Sequence, residues 1–133
     1  MYNVIVADDE KNIREGIVEL IEWEKLGCKV CASMQNGAQV LKYLEEEKIH
    51  VDIIITDIKM PIMDGMELIG MLNERFPDIK VIILTAYSDF TYAQQAIKFQ
   101  VSDFVVKNDF FLELPRAVKK IIEQCEVDAK KCV

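Results

Sequence analysis

Cationic side chains are in short supply in this 133-residue sequence. Sixteen Lys and Arg stand against 23 Asp and Glu, a formal net charge of −7. Binding a phosphate backbone takes clustered cations, so direct contact with nucleic acid is disfavoured, as is adhesion to an anionic membrane surface. Long apolar runs are also missing. Those present are short, as at Ile53-Ile54-Ile55, far below the ~20 residues of a membrane-spanning helix. Met1-Tyr2-Asn3-Val4 has neither the basic start nor the apolar stretch of a secretory signal, so a cytoplasmic protein is expected. Glycine (5) and proline (3) are scarce, and no repeat, low-complexity stretch or internal linker divides the chain. One domain is the reading for a chain of this length.

Histidine and cysteine offer little for metal or redox chemistry. The single histidine, His50, follows Glu45-Glu46-Glu47-Lys48-Ile49 and reads as a solvent-facing residue at a helix end. Cys28 and Cys31 have a Cys-x-x-Cys spacing, but they lie in a short strand, where residues three apart face opposite ways. Two such thiols neither chelate one ion nor bridge. Cys125 and Cys132 fall on a polar tail, so all four read as buried or incidental thiols.

What is present is a regular alternation of two hydrophobic periods. Apolar strands are expected at Tyr2–Ala7, Cys28–Ser33, Val51–Thr56, Ile79–Leu84 and Asp103–Val106. Helical spacing recurs between them. A first helix carries Ile13, Ile17, Val18, Leu20 and Ile21; a second carries Val40, Leu41, Leu44 and Ile49 and opens near Asn36-Gly37. A third follows the Pro61–Gly65 turn, with Asp64 and Glu67 resembling a capping box. A helix is expected over Asp89–Phe99, and a last one from Leu112 to about Val127, where Pro115 is tolerated only in the first turn. Five strand–helix alternations imply an α/β doubly wound fold: a five-stranded parallel sheet with helices on both faces. Trp23 reads as a helix-end aromatic covering the core edge.

In such a fold, ligand chemistry gathers beyond the carboxyl ends of the strands. Asp8-Asp9-Glu10 follows the first strand, Asp57-Ile58-Lys59-Met60-Pro61 the third, Thr85-Ala86 the fourth and Lys107 the fifth. If the first and third strands are neighbours, three carboxylates converge, and each raises the pKa of the others unless a cation compensates. An all-oxygen pocket suits Mg²⁺, while a hydroxyl and an ammonium opposite complement phosphoryl oxygens. Singly, each residue reads as a turn former, a cap or a solvated charge; together on one rim they form a constellation. Asp57, ending the most apolar strand, is expected to point toward solvent.

Asp8-Asp9-Glu10, Thr56-Asp57-Ile58-Lys59-Met60-Pro61-Ile62-Met63-Asp64-Gly65, Leu84-Thr85-Ala86 and Val105-Val106-Lys107 resemble the receiver domain of two-component response regulators over about residues 2 to 125. The resemblance implies a flavodoxin-like strand order, 2-1-3-4-5, with a receiver domain over 1–127 and a tail or start of a linker over 128–133. It implies that Asp57 accepts a phosphoryl group from a sensor histidine kinase, and that Asp8, Asp9, Asp57 and the backbone carbonyl of Lys59 surround Mg²⁺, with Asp9 a direct ligand and Asp8 acting largely through water. Lys107 would pair with phosphoryl oxygens, and Thr85 and Phe104 would form the switch pair. Self-phosphorylation and slow autodephosphorylation would be the only catalysis. The output would be transcription through a DNA-binding domain outside this chain, with homodimerisation on phosphorylation as a further expectation. Arg14-Glu15-Gly16, Trp23-Glu24-Lys25-Leu26-Gly27, Thr56-Asp57-Ile58-Lys59-Met60-Pro61 and Tyr87-Ser88-Asp89-Phe90-Thr91-Tyr92-Ala93 are similar to receivers that precede an AraC-type helix-turn-helix domain.

Two positions depart from the family. Asn108 stands where a proline, often after a cis bond, usually follows the lysine. A cis bond before a non-proline residue costs ~2.5–4 kcal/mol, so the Lys107–Asn108 bond is either trans or strained. Gln100 replaces a common glycine, implying altered local geometry. A receiver-like interaction module that never becomes phosphorylated is disfavoured by the intact acidic set, and two other chemistries fit less well. A haloacid-dehalogenase-like phosphatase wants a second Asp two residues after the nucleophile, where this chain has Lys59. Nucleotide or flavin binding wants a glycine-rich loop where Asp8-Asp9-Glu10 stands.

Overall fold

The computed structural model describes residues 1–47, 49–86 and 101–131. Five strands, β1 (Tyr2–Ala7), β2 (Cys28–Met34), β3 (Ile53–Asp57), β4 (Lys80–Thr85) and β5 (Asp103–Val106), form one sheet in the order β2-β1-β3-β4-β5. All four pairings are parallel. Among the described residues the helices are α1 (Lys11–Leu20), α2 (Gly37–Glu46), α3 (Gly65–Arg75) and α4 (Phe110–Lys131), with 3₁₀ turns at Trp23–Leu26 and Lys107–Asp109. The helix expected over Asp89–Phe99, the aromatic motif beginning at Tyr87, Gln100 and Cys132 lie outside the described residues.

Strand alternation sorts the core into two layers. Val4, Val6, Ile53, Ile55, Ile82, Leu84 and Val105 face α1 and α4, meeting Ile17, Leu114 and Val118. Ile5, Ala7, Ile54, Val81 and Ile83 face the other way, onto Val40 and Leu41 of α2 and Leu68, Ile69 and Leu72 of α3. Successive isoleucines of β3 therefore belong to different cores, which is why that strand is apolar without a polar face. Trp23 is buried in the first core, its indole N–H donating to the Ile17 carbonyl at 3.1 Å. Cys28 packs in the first core and Cys31 against the second, on opposite faces as their spacing requires. Burial pushes the Cys28 thiol up to about 11, leaving it protonated.

Several boundaries move. β3 and β4 each run one residue further than the apolar pattern suggests, so Asp57 and Thr85 are the last strand residues, paired across to Leu84 and Val106. Helix α2 stops at Glu46, leaving Ile49 outside it and exposed. Glu45, Glu46 and Glu47 crowd the carbonyl end of that helix, where negative charge opposes the helix dipole. Helix α4 begins at Phe110, so Pro115 lies in its second turn and offers no N–H to the Phe111 carbonyl.

Candidate functional site

Because β1 and β3 are neighbours, with Ala7 opposite Thr56, the next residues, Asp8 and Asp57, meet at the carboxyl end of the sheet. The Asp8 amide continues the ladder by donating to the Met34 carbonyl at 3.0 Å. Its Oδ1 accepts the Glu10 N–H at 2.9 Å, turning the chain into α1. From the first turns of α1, the Arg14 guanidinium donates to the Asp8 carbonyl at 2.7 Å and holds that turn. Asp57 Oδ1 accepts the Ile58 N–H at 2.7 Å, which aims its other oxygen across the rim.

Lys107 completes the cluster from β5. Its Nζ lies 2.8 Å from Asp57 Oδ2, 3.1 Å from Glu10 Oε1 and 3.1 Å from Asp8 Oδ2. The Lys107–Asn108 bond is trans, as are the other described peptide bonds. Aim comes instead from the 3₁₀ turn Lys107–Asp109, in which the Phe110 N–H donates back to the Lys107 carbonyl. Asp57 is only 4% exposed and its Oδ2 is held by the ammonium, so it does not point freely into solvent as expected from its place at a strand end.

Burial drives the electrostatics. It raises the Asp8 pKa to about 6, helped by the negative charge of Asp57 and opposed by the Glu10 amide and Lys107. Burial raises Asp57 too, against the pull of Lys107 and the Ile58 amide. For Lys107 burial works downward, but bonds and attraction to Asp57, Asp8 and Glu10 outweigh it and hold the ammonium above its usual range. The lysine is the compensating cation that the clustered carboxylates require.

The donor set fits a hard divalent cation. One oxygen from each of Asp8, Asp9, Glu10 and Asp57 lies within 4.8 Å of the others. Asp8 Oδ2 is fully buried and makes no hydrogen bond, despite the nearby ammonium charge. A buried carboxylate oxygen without a hydrogen bond, among four acidic groups that a single ammonium serves, suits a Mg²⁺ site. Lys59, two residues after Asp57, lies in the loop between β3 and α3 with its side chain exposed.

That loop is closed beneath Asp57. The Gly65 N–H donates to the Ile58 carbonyl at 2.7 Å, and Asp64 caps α3 by accepting the Glu67 N–H at 2.9 Å. A Cβ on Gly65 would sit 2.2 Å from the Asp57 carbonyl oxygen, so only glycine permits this approach.

Thr85 and Phe104 share one face of the β4–β5 pair, since Thr85 is opposite Val106 and Phe104 lies two residues before it. Thr85 is buried, with its hydroxyl donating to the Ala86 carbonyl at 3.0 Å and not toward Asp57. Phe104 is 37% exposed. The structure thus gathers Asp8, Asp9, Asp57 and Lys107 and leaves the Thr85 hydroxyl turned away. Sequence reasoning missed Glu10 as a partner of Lys107 and Arg14 as the clamp on Asp8. Their signal was the Asp-x-Glu spacing and an arginine one turn into the following helix.

Residues 4–119 match the response regulator receiver domain family. The uncharacterized transcriptional regulatory protein YesN of Bacillus subtilis is 38% identical over 107 residues, which are 80% of this chain and 28% of YesN. Among solved structures, the REC domain of AraT, a response regulator from Geobacillus stearothermophilus, superposes with a TM-score of 0.82 at 37% identity, covering 94% of this chain and 98% of that one. A LuxR-family DNA-binding response regulator from Staphylococcus aureus gives 0.80 at 30% identity, covering 91% and 98%. The chain spans less than half the length of the curated relatives it matches. With the sheet order, the acidic cluster and the buried lysine already in place, this match makes the chain a member of the response regulator receiver domain family, in which phosphorylation with Mg²⁺ is a general feature.

Proposed function

We propose that Asp57 is the phosphoacceptor of this receiver and that Asp8, Asp9, Asp57 and the Lys59 carbonyl hold its Mg²⁺. The observation that carries this reading is the contact of Lys107 Nζ with Asp57 Oδ2 at 2.8 Å beside the buried Asp8 Oδ2, which has no hydrogen bond. A bound divalent cation supplies charge neutralisation at the phosphoryl oxygens. An Asp57 carboxylate oxygen attacks the phosphorus of a phosphohistidine on a sensor kinase. The P–N bond breaks, the imidazole leaves with its electron pair and takes a proton, and an acyl phosphate remains. Lys107 moves from pairing the free carboxylate to pairing the phosphoryl oxygens, so one ammonium serves both states. Water attacking the phosphorus of the acyl phosphate breaks the P–O bond to Asp57, releases inorganic phosphate and returns the aspartate, which is the slow autodephosphorylation.

The output follows from charge. Phosphorylation adds close to two negative charges at the rim, and the Thr85 hydroxyl turns from the Ala86 carbonyl to a phosphoryl oxygen. Phe104, partly exposed on the same face, moves inward and remodels the surface around β5. Residues 1–127 are assigned to the receiver and 128–133 to its tail, with a DNA-binding domain as the output. We assign that domain to the AraC type on the Arg14-Glu15-Gly16 and Trp23–Gly27 motifs, with phosphorylation promoting a homodimer. Its place is the cytoplasm, beside the kinase's catalytic portion. Acetyl phosphate with Mg²⁺ should add one base-labile phosphoryl group, absent from Asp57→Asn; equal labelling of that variant defeats the assignment.

A further inference from the structure

Ile62 is held in a conformation that β-branched residues avoid. Its φ is +69°, and the Met63 N–H donates to the Pro61 carbonyl at 2.7 Å, closing a γ-turn with Ile62 at its centre. Left-handed γ-turns are rare and strained, and a branched Cβ makes them worse. The reward is not burial, because Ile62 is 83% exposed.

The surroundings enforce the strain. On one side Met60 is buried in the core beneath α2 and α3. On the other, the Met63 carbonyl accepts the Gly37 N–H at 2.9 Å and its side chain packs on the same core. The loop base is shut by the Gly65–Ile58 bond. With both flanks pinned, the apex is pushed out as an apolar knob on the loop that begins at Asp57. Strain that persists because its surroundings over-determine it points to use at that spot.

Asp57 is almost wholly buried, and the rim around it is acidic, with Asp9 and Glu10 both exposed. A phosphoryl group on a histidine side chain reaches Asp57 only if the protein carrying it lies flat against this rim, covering the loop. We propose that Ile62 is a specificity contact for that protein donor, seating in an apolar depression beside the donor's phosphohistidine while the donor's basic groups meet the acidic rim. The inference rests on Asp57 as acceptor. Small donors such as acetyl phosphate do not touch the knob, which separates the two ideas.

The test compares the wild type with Ile62→Asn, Ile62→Gly and Ile62→Val. Donors are acetyl phosphate and the autophosphorylated catalytic portion of whichever histidine kinase of the source organism labels the wild type fastest. Asn and Gly accept positive φ, so Ile62→Asn should raise Tm by about 3–6 °C. Ile62→Gly should gain less, because glycine also loosens the unfolded chain. Both should lower kcat/KM for the kinase about tenfold, chiefly through KM, leave acetyl phosphate labelling unchanged, and be rescued by Ile62→Val. Unchanged kinase kinetics in the Asn and Gly variants overturn the contact. So does an equal loss with acetyl phosphate, which would make Ile62 a determinant of site shape, or the absence of any kinase faster than acetyl phosphate. Labelling of Asp57→Asn would instead remove the acceptor assignment beneath it.

Discussion

The two ends of the sheet handle polar groups in opposite ways. Among the described residues, the buried polar side chains are Asp8, Asn36, Thr56, Asp57, Thr85 and Lys107, all at or just past the carboxyl ends of strands. At the amino end, Asp52 ties Asn3 and His50 together, its Oδ2 accepting the Asn3 N–H at 2.8 Å and its Oδ1 lying 3.0 Å from His50 Nε2. That cluster is partly exposed, so water screens and supplements it. One end stabilises the fold cheaply. The other withdraws carboxylates from water, leaves one oxygen without a hydrogen bond and relies on a single ammonium. Such an arrangement costs stability and is kept where charge is to be added or a cation bound.

Removing that ammonium gives the largest expected difference between the ends. Lys107→Ala leaves carboxylates buried without a counter-charge, so unfolding in urea with chelator should show a loss of about 3 kcal/mol at pH 7. Added Mg²⁺ should restore much of it, since binding to the folded state alone stabilises by mass action. A loss that Mg²⁺ does not touch would mean the lysine serves packing.

Gly65→Ala attacks the same end through the backbone. The 2.2 Å clash with the Asp57 carbonyl must be relieved by moving the floor of the site. A cost of about 1–3 kcal/mol is expected, together with slower acetyl phosphate labelling. Normal labelling at reduced stability would uncouple the loop closure from the position of Asp57.

Asp8→Asn should act in the opposite direction, raising stability at pH 7 in chelator. Asp8 titrates near 6 in the folded protein and near 3.8 unfolded. Its contribution is thus fully favourable below about pH 3.8 and is lost as pH rises through 6. The gain in the variant is about 1–2 kcal/mol at pH 7, shrinking to nothing toward pH 4. A stability difference independent of pH over that range would refute the charge origin of the effect.

The smallest effect belongs to the amino end. Asp52→Asn, measured by the same unfolding, should cost under about 1 kcal/mol. A larger loss would erase the contrast between the two ends.

Much of this was legible in the chain. The alternation of apolar strands and amphipathic helices specified a doubly wound parallel sheet, because hydrophobic period follows directly from backbone geometry. The Asp8, Asp57, Thr85 and Lys107 positions were legible as strand-end residues for the same reason. The strand ends themselves were read one residue short at β3 and β4, since a polar residue interrupts the apolar pattern while the ladder of hydrogen bonds continues through it. Ile49 and Pro115 misled for related reasons: apolar spacing does not register an unfavourable helix end, nor a 3₁₀ turn feeding a helix early.

By itself, the sequence determined which residues stand at the carboxyl rim, since hydrophobic periodicity and the order of motifs are local properties. Only the tertiary structure decided that Asp57 is buried under Lys107, that Glu10 shares the ammonium, and that Asp8 Oδ2 is left without a hydrogen bond. These depend on the packing of β1 between β2 and β3 and on a trans bond after Lys107. The strain at Ile62 arises in the same way, from the anchoring of Met60 and Met63 in a core built by distant helices. Distances across strands far apart in the chain set the desolvation and pairing of each charge, and no spacing along one segment encodes them.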